Sequence, residues 1–465
     1  MISLLQDLQL LLDNLTANTN KLLGNQLTFD DLLEAFMQEL RHWGLNLIGT
    51  YLEQLDDNYK QLPSRKQKYI VKATRTCIKQ TLYGQLSFKR TYYQDKKSKQ
   101  YFFWLDRALS FEKYGRMTLG FKAAVLENVA KYHYQAAIDM LKYSEIHSKT
   151  TVMNIVHREG QLLPNQPDQV QPRDKQIVYL EADEDHVAFQ DGSNHFMKLV
   201  YVHEGYDERQ KRHHLINPKY FTGTYPGVAN EQLWDEVLCY LEANYPQAKQ
   251  VYLAGDGAPW IKAGAKYLPN CKFVLDRFHL LKYCHKATVN TKASAAYRLY
   301  HWALTGQQDK VALYFKTRFS DPELTRTQIE ALKQAKTYLL GNWQAILNTQ
   351  APAYQRCTAE GHISHYLSER LSSRPMGWSK KGAEGVARSI IFQLNGGDIT
   401  HYLLKKQKET AKAQRIMQVD QRFKAKAETY YDEFQVEFGE TAKAHYWNQG
   451  IINGGQLIEL PEQII

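Results

Sequence analysis

The stretch from Gln176 to His279 constrains this chain more than any other. It follows a proline-containing link, LLPNQPDQVQPRD (162–174). Three apolar runs come first: IVYLEAD (177–183), FMKLVYVHEGY (196–206) and RHHLINPKYFTGTY (212–225). In NEQLWDEVLCYLEANYP, Leu233, Val237, Leu238 and Leu241 then share one helical face. VYLAGD (251–256) reads as a fourth strand, PWIKAGAKYL as a short helix, and KFVLDRFH (272–279) as a fifth strand. The order three strands, helix, strand, helix, strand predicts a mixed α/β sheet. Three of its strands run into Asp.

That order is the one used by RNase H-like domains, and mixed α/β sheets place their sites at strand ends. Asp256 stands between Gly255 and Gly257 at the end of the fourth strand. A turn would explain it; so would a metal ligand with glycines allowing close approach. On the first strand, Glu181, Asp183 and Asp185 fall on one face by period two, so alternation does not choose among them. In TAEGHISHYLSERL (358–371), Glu360 is in helical line with Ile363, Leu367 and Leu371. A carboxylate in an apolar stripe is costly unless paired or metal-bound. Glu369 is out of phase and should be solvated, while Glu384 is a later alternative beyond RPMGW. Such acids suit phosphoryl transfer on DNA, which uses two divalent ions about 3.5–4 Å apart. Mg²⁺ and Mn²⁺ take hard oxygen ligands of this kind.

The remainder divides by pattern. Residues 1–62 are helical, with Leu32, Leu33, Phe36, Leu40 and Trp43 recurring up to a stop near Gly44. The start, MISLLQDLQLLLDNL, carries Asp7 and Asp13 and reads as an amphipathic helix, not a signal peptide. Residues 63–115, opened by Pro63 and SRKQK, form a small basic β-rich segment with turns at Tyr83-Gly84 and DKKSK. Residues 116–160 read as three helices, either a helix-turn-helix module or a plain bundle. The last is capped at Ser148, with Val152, Ile155 and Val156 inward and Thr150, Thr151, Asn154 and Arg158 outward. The catalytic candidate spans 175–400, with a helical insertion at about 285–350. A basic helical tail, 401–465, holds Lys405, Lys406, Lys408, Lys412, Arg415, Arg422, Lys424 and Lys426. Either a solvated helix or a DNA-backbone contact fits that run.

The net charge of +10 favours an acidic partner, most simply nucleic acid. No apolar run reaches 18 residues, so no membrane span is expected. Five scattered cysteines without a CxxC suit a reduced cytoplasmic protein. Cys271, His279, Cys284 and His285 match none of the usual zinc spacings.

Taken together, IVYLEADEDHV, VYLAGDGAPWI, VLDRFHLLKY and AEGHISHYLSERLSSRPMGWS resemble the bacterial insertion-sequence transposases of the ISLre type. These are related to the Mutator-like DDE transposases, and the resemblance covers essentially the whole chain. It implies an RNase H-like catalytic domain interrupted by a helical insertion, with Asp183, Asp256 and Glu360 as catalytic, metal-holding triad. It further implies two Mg²⁺ or Mn²⁺ ions, terminal inverted repeats and target DNA as partners, and a homodimer or larger assembly on DNA. The setting would be the bacterial cytoplasm, at the nucleoid when DNA-bound. Asp276 and His279 look like the Asp/Cys-x-x-His motif beside that active site; a helix N-cap and a packed histidine are the plainer reading. Glu184 stands where related transposases often have Gly, which leaves Asp183 and Asp185 both open as the first acid. Arg370 and Arg374 could hold phosphates, and Trp378 could stack on a base or pack the helix end. Two rival functions are a non-catalytic DNA-binding protein and an RNase H-like nuclease that cuts without joining.

Overall fold

The structure, a computed structural model, describes residues 2–413 except 25, 166–169, 208–213, 290, 293 and 375. It forms two units, 1–403 and 404–465; of the second, residues 404–413 are described, and they are helical. The rest of the basic tail, with Arg415, Arg422, Lys424 and Lys426, lies outside the described residues.

The chain opens with two helices, Ile2–Leu23 and Phe29–Gln61. A capping box between Thr28 and Asp31 starts the second. The expected stop at Gly44 does not occur; the helix runs on to Gln61. A lone helical glycine costs only about 1 kcal/mol, and Leu45, Leu52 and Leu55 beyond it pack on the sheet that follows. That sheet has β1 (Tyr69–Thr81), β2 (Gly84–Asp95) and β3 (Tyr101–Phe103), in the order β1-β2-β3. Both expected turns are present. Gly49 lets the long helix lie on β2, since a Cβ there would stand 2.7 Å from the Ser87 carbonyl oxygen. Farther along, Glu53 and Asp56 accept the Lys89 and Thr91 backbone N–H groups. SRKQK, which opens the segment read as β-rich, is itself helical: Pro63–Lys68 is a short helix with Pro63 at its first turn.

Helices Leu119–Val129, Tyr134–Asp139 and Lys149–Arg158 follow, the last with Val152, Ile155 and Val156 buried as expected. They share one core with the larger sheet and with helix Lys380–Leu394. Gly385 shows how close that packing is, because a Cβ on it would lie 2.6 Å from the Val156 carbonyl oxygen. Gly385→Val should therefore cost about 1–3 kcal/mol by overpacking. Urea denaturation would show it as a lower midpoint at unchanged slope; an unchanged midpoint would mean the two helices can part freely.

The larger sheet contains β4 (Ile177–Ala188), β5 (Asn194–His203), β8 (Lys219–Gly223), β9 (Gln250–Gly255) and β10 (Cys271–Leu275). Between β5 and β8, β6 (Tyr206–Asp207) and β7 (His214–Leu215) make a separate two-stranded ladder. The five strands lie in the order β10-β9-β4-β5-β8. β4, β5 and β8 pair antiparallel, whereas β9 and β10 join in parallel. Val178, Leu180 and Ala182 face helices Asn230–Asn244 and Pro259–Tyr267. On the opposite face, Val187, Leu199 and Tyr201 meet Ile363, Leu367 and Leu371. After β10 the chain is helical as expected; Leu280, Cys284, Leu299, Phe315 and Leu339 build a core of their own. No helix among the described residues is long and apolar enough to cross a membrane.

Candidate active site

Strand register brings three aspartates together. In the parallel ladder Ala182 pairs with Gly255, and Gly255 pairs with Leu275. The next residues are Asp183, Asp256 and Asp276, so three acids stand at one level across β4, β9 and β10. β4 does not end there, as the sequence suggested; it continues antiparallel to β5 as far as Ala188. Asp183 is thus mid-strand, at the point where the shorter β9 stops.

The glycines around Asp256 have separate causes. A Cβ on Gly255 would stand 2.9 Å from the Ala182 carbonyl oxygen and from Ile261, so this glycine lets β9 lie close to β4. Gly257 has φ +89° and supplies the left-handed turn. The Asp256 carboxylate accepts the Ala258 N–H at 2.8 Å, and the Tyr338 hydroxyl donates to the Asp256 carbonyl at 2.5 Å. Asp256 is a turn residue and also faces the other acids.

The three acids on one face of β4, Glu181, Asp183 and Asp185, are all buried, and their partners separate them. Glu181 accepts from Tyr201 Oη at 2.5 Å, His203 Nε2 at 3.1 Å and Tyr206 Oη at 3.0 Å, and from the Thr358 N–H. Burial works to raise its pKa, but the His203 and Tyr201 bonds and the Thr358 N–H outweigh that and hold it below the ordinary range. Asp185 accepts from Ser368 Oγ at 2.9 Å and Ser372 Oγ at 2.8 Å. Asp183 accepts the N–H of Glu184 at 2.8 Å. Burial pushes Asp183 up to about 7, and the charges of Asp256 and Glu360 add to it against His279. The two outer acids are therefore bound to the segment 358–372, while the middle one acts through space on Asp256, Glu360 and His279.

Glu360 sits in the first turn of helix Ala359–Ile363, which continues through a π-helical turn, Ser364–Ser368. Ile363, Leu367 and Leu371 are buried as expected, but Glu360 is exposed, so an apolar surrounding is not what constrains it. What fixes its place is the anchoring of Thr358 to Glu181. Glu369 is exposed, as expected. Glu384 bonds to Thr224, beyond the end of β8, and is not grouped with these acids.

Asp276 and His279 fulfil both readings. Asp276 caps helix Arg277–Ala287 through the Phe278 N–H at 3.2 Å, and its other oxygen meets His279 Nδ1 at 3.0 Å. Burial draws the His279 pKa down, but its bond to Asp276 and the charges of Asp276, Asp183 and Asp256 carry it above the ordinary value. The imidazole is thus a cation-prone group facing the acids.

Other candidates lie elsewhere. Arg370 is buried with Nε on the Val129 carbonyl at 2.8 Å, its guanidinium 5.0 Å from the Trp378 ring. Trp378 is buried too and donates Nε1–H to the Leu371 carbonyl. Arg370 thus ties the end of the Glu360 helix to Leu119–Val129, and Trp378 covers that end beside Tyr134, ring centres 6.0 Å apart. Arg374 is exposed. Thr150 and Asn154 are exposed and Thr151 half-buried, while Arg158 pairs with Glu112 at 3.1 Å and Glu159 at 3.5 Å. Lys405 and Lys406 are exposed on residues 404–413, Lys406 lying 3.9 Å from Glu409. Among the described residues no group of three or more His, Cys, Asp or Glu side chains could hold a metal ion as it stands. Cys284 is buried in the helical block, and burial pushes both it and Cys271 up to about 12. Thr358, Ser368, Ser372 and Tyr338, which shape the site, carried no signal in the sequence.

The Uncharacterised protein family (UPF0236) matches residues 22–408. The chain belongs to UPF0236. UPF0236 protein TTE0610/TTE0881/TTE1053/TTE2432 of Caldanaerobacter subterraneus subsp. tengcongensis is 35% identical over 383 residues, covering 81% of this chain and 80% of its own. A second UPF0236 protein of that organism, whose name runs from TTE0033 to TTE2212, is 34% identical over 386 residues, with 81% and 80% covered. The UPF0236 protein in vanSb 3'region of Streptococcus gallolyticus is 26% identical over 333 residues, covering 68% and 72%. The UPF0236 match takes in the long N-terminal helix, both sheets, the helical block and the Glu360 helix.

Proposed function

We propose that this chain is a DDE-type DNA transposase, cutting DNA at the ends of a mobile element and joining them to a target. The observation that carries the reading is the placing of Asp183 and Asp256 at one level of adjacent strands, with Glu360 near enough to raise the Asp183 pKa. The strand order β10-β9-β4-β5-β8, three antiparallel and two parallel, supports an RNase H-like domain. One relative's name joins eleven locus designations from a single organism, as a gene carried in several copies would.

The donor set fits divalent ions. Asp183, Asp256 and Glu360 offer hard oxygens, and their mutual repulsion is what a cation relieves. Asp183 and Asp256 would share two ions, with Glu360 completing the second site. Bound Mg²⁺ or Mn²⁺ supplies Lewis-acid polarisation of the phosphate and an activated oxygen nucleophile at neutral pH. The chain itself orients the acids: the parallel register fixes Asp183 beside Asp256, and Glu181 and Asp185 hold the Glu360 segment. His279, bonded to Asp276 and favoured in its protonated form by the surrounding acids, would in that form hold a phosphate oxygen beside them. DNA ends and target DNA are the partners, handled by two or more copies of the chain in a bacterial cytoplasm.

The test is cleavage of DNA carrying the gene's own flanking ends, with Mg²⁺ or Mn²⁺, by wild type and Asp256→Asn. Metal-dependent cutting lost in the variant, with joined products from wild type, is the expected result. Cutting without joining would make the protein a nuclease. Equal cutting by both proteins would remove Asp256 from the chemistry.

A further inference from the structure

We infer that the three-stranded N-terminal sheet binds the phosphate backbone of duplex DNA. The inference does not depend on the chemistry proposed at the acids. Residues 64–107 hold twelve Lys and Arg against two acids, Asp95 and Asp106. That surplus of ten equals the net charge of the whole chain, +10, so the other residues sum to zero. This sheet, with the short helices that flank it, thus carries a surplus as large as that of the whole chain.

The two acids do not neutralise it. Asp106 pairs with Arg90, and Asp95 accepts the backbone N–H groups of Lys97 and Ser98 in the β2–β3 turn. Register concentrates the cations at one end. Tyr69 pairs with Asp95, Lys96 N–H donates to the Lys68 carbonyl, and Lys96 Nζ reaches the Lys66 carbonyl at 2.8 Å. Lys66, Lys68, Lys96, Lys97 and Lys99 thus gather where β1 begins and β2 ends, with Lys72 farther along β1; all six are exposed. Exposed Tyr101 stacks on Tyr92, ring centres 5.3 Å apart, and Arg75 lies 4.9 Å from the Tyr92 ring. The helix Lys149–Arg158 is a weaker candidate, since its Arg158 is held by Glu112 and Glu159.

The charges stand on a short helix, on β1 and in a tight turn, whose backbone is tied together by the β1–β2 register. That favours the regular array of duplex phosphates over a fluid anionic membrane. The experiment measures binding of the full chain to a labelled 30-base-pair duplex across a salt series, in chelator. The fourfold variant K66A/K68A/K97A/K99A is compared with K310A/K316A/K333A/K336A, which removes the same charge from the helical block. The first should bind at least about tenfold more weakly, with a salt dependence shallower by roughly 3 in log–log slope; the second should bind nearly as wild type. Equal losses would mean that net charge matters and this sheet does not, overturning the inference. Tighter wild-type binding to phosphatidylserine vesicles, lost in the first variant, would overturn it in favour of a membrane. Should the fourfold variant fold poorly, the turn pair K97A/K99A carries the same test, with a slope change of roughly 1–2. Asp256→Asn should bind the duplex as wild type does, so a failure of catalysis and a failure of this surface read out separately.

Discussion

Asp183→Asn should leave the protein inactive and, without divalent ions, more stable at pH 8 than the wild type. The folded chain holds Asp183 at about 7, chiefly by burial, against an ordinary value of 3.8. Between those values the folded state retains a proton that the unfolded state has released. Stability therefore falls as pH rises from about 4 to about 7, and the full penalty is present above that window. A displacement of this size corresponds to at most about 4 kcal/mol. Asn keeps the shape and removes the charge. Thermal melts in chelator should show a variant-minus-wild-type gap that is wide at pH 8 and closes toward pH 4. Added Mg²⁺ should narrow the gap at pH 8 by stabilising the wild type alone. Cleavage should drop by at least about 10³-fold, the scale expected when a group acting in the transition state is lost. A gap that stays constant with pH would show that Asp183 ionises as an ordinary surface carboxylate.

Glu181→Ala should be among the most destabilising substitutions in the chain. It removes a carboxylate that is 2% exposed and leaves Tyr201, His203, Tyr206 and the Thr358 N–H without their common acceptor. Stripping one member from such a buried charged network costs about 3–5 kcal/mol. Glu181→Gln keeps an acceptor oxygen and should cost less. The functional signature is separate from the stability loss. At a temperature where Glu181→Gln is fully folded, its cleavage should still be impaired, because Thr358 leads directly into Glu360. Full activity in folded Glu181→Gln would show that the Glu360 helix is held by its apolar face alone.

The elements of the larger sheet were legible because apolar runs, helical faces and Asp-Gly turns occur in an order that few architectures satisfy. The long helix was read too short at Gly44, where a local penalty is outweighed by packing contributed by β2. Which of Glu181, Asp183 and Asp185 is tied to the segment 358–372 is beyond a period-two argument. The bonds come from Thr358, Ser368 and Ser372, which meet β4 only after the fold has formed. Glu360 is in helical line with the apolar stripe, yet it is exposed, so the cost of burying a carboxylate does not act on it. The first turn of a helix is open on one side even when the stripe below it is buried. Arg370 and Trp378 look from sequence like groups for phosphate and base, yet their partners are Val129 and Leu371. Side-chain type did not reveal which way they turn.

β4 carries Glu181, Asp183 and Asp185 on one face and Val178, Leu180, Ala182 and the half-buried Glu184 on the other. It therefore behaves as a strand with a reading frame. Losing or gaining one residue ahead of Glu181 would swing all three carboxylates into the apolar layer under helices Asn230–Asn244 and Pro259–Tyr267. The same slip would turn leucine and valine toward Asp256. Length changes in the β4–β5 turn, past Ala188, leave that frame intact. Variation in this chain should be permissive at the exposed tip of that turn, Asp191 and Gly192, and unforgiving between Ile177 and Asp185. Along that short span, a change of length reaches the apolar core and the acids together.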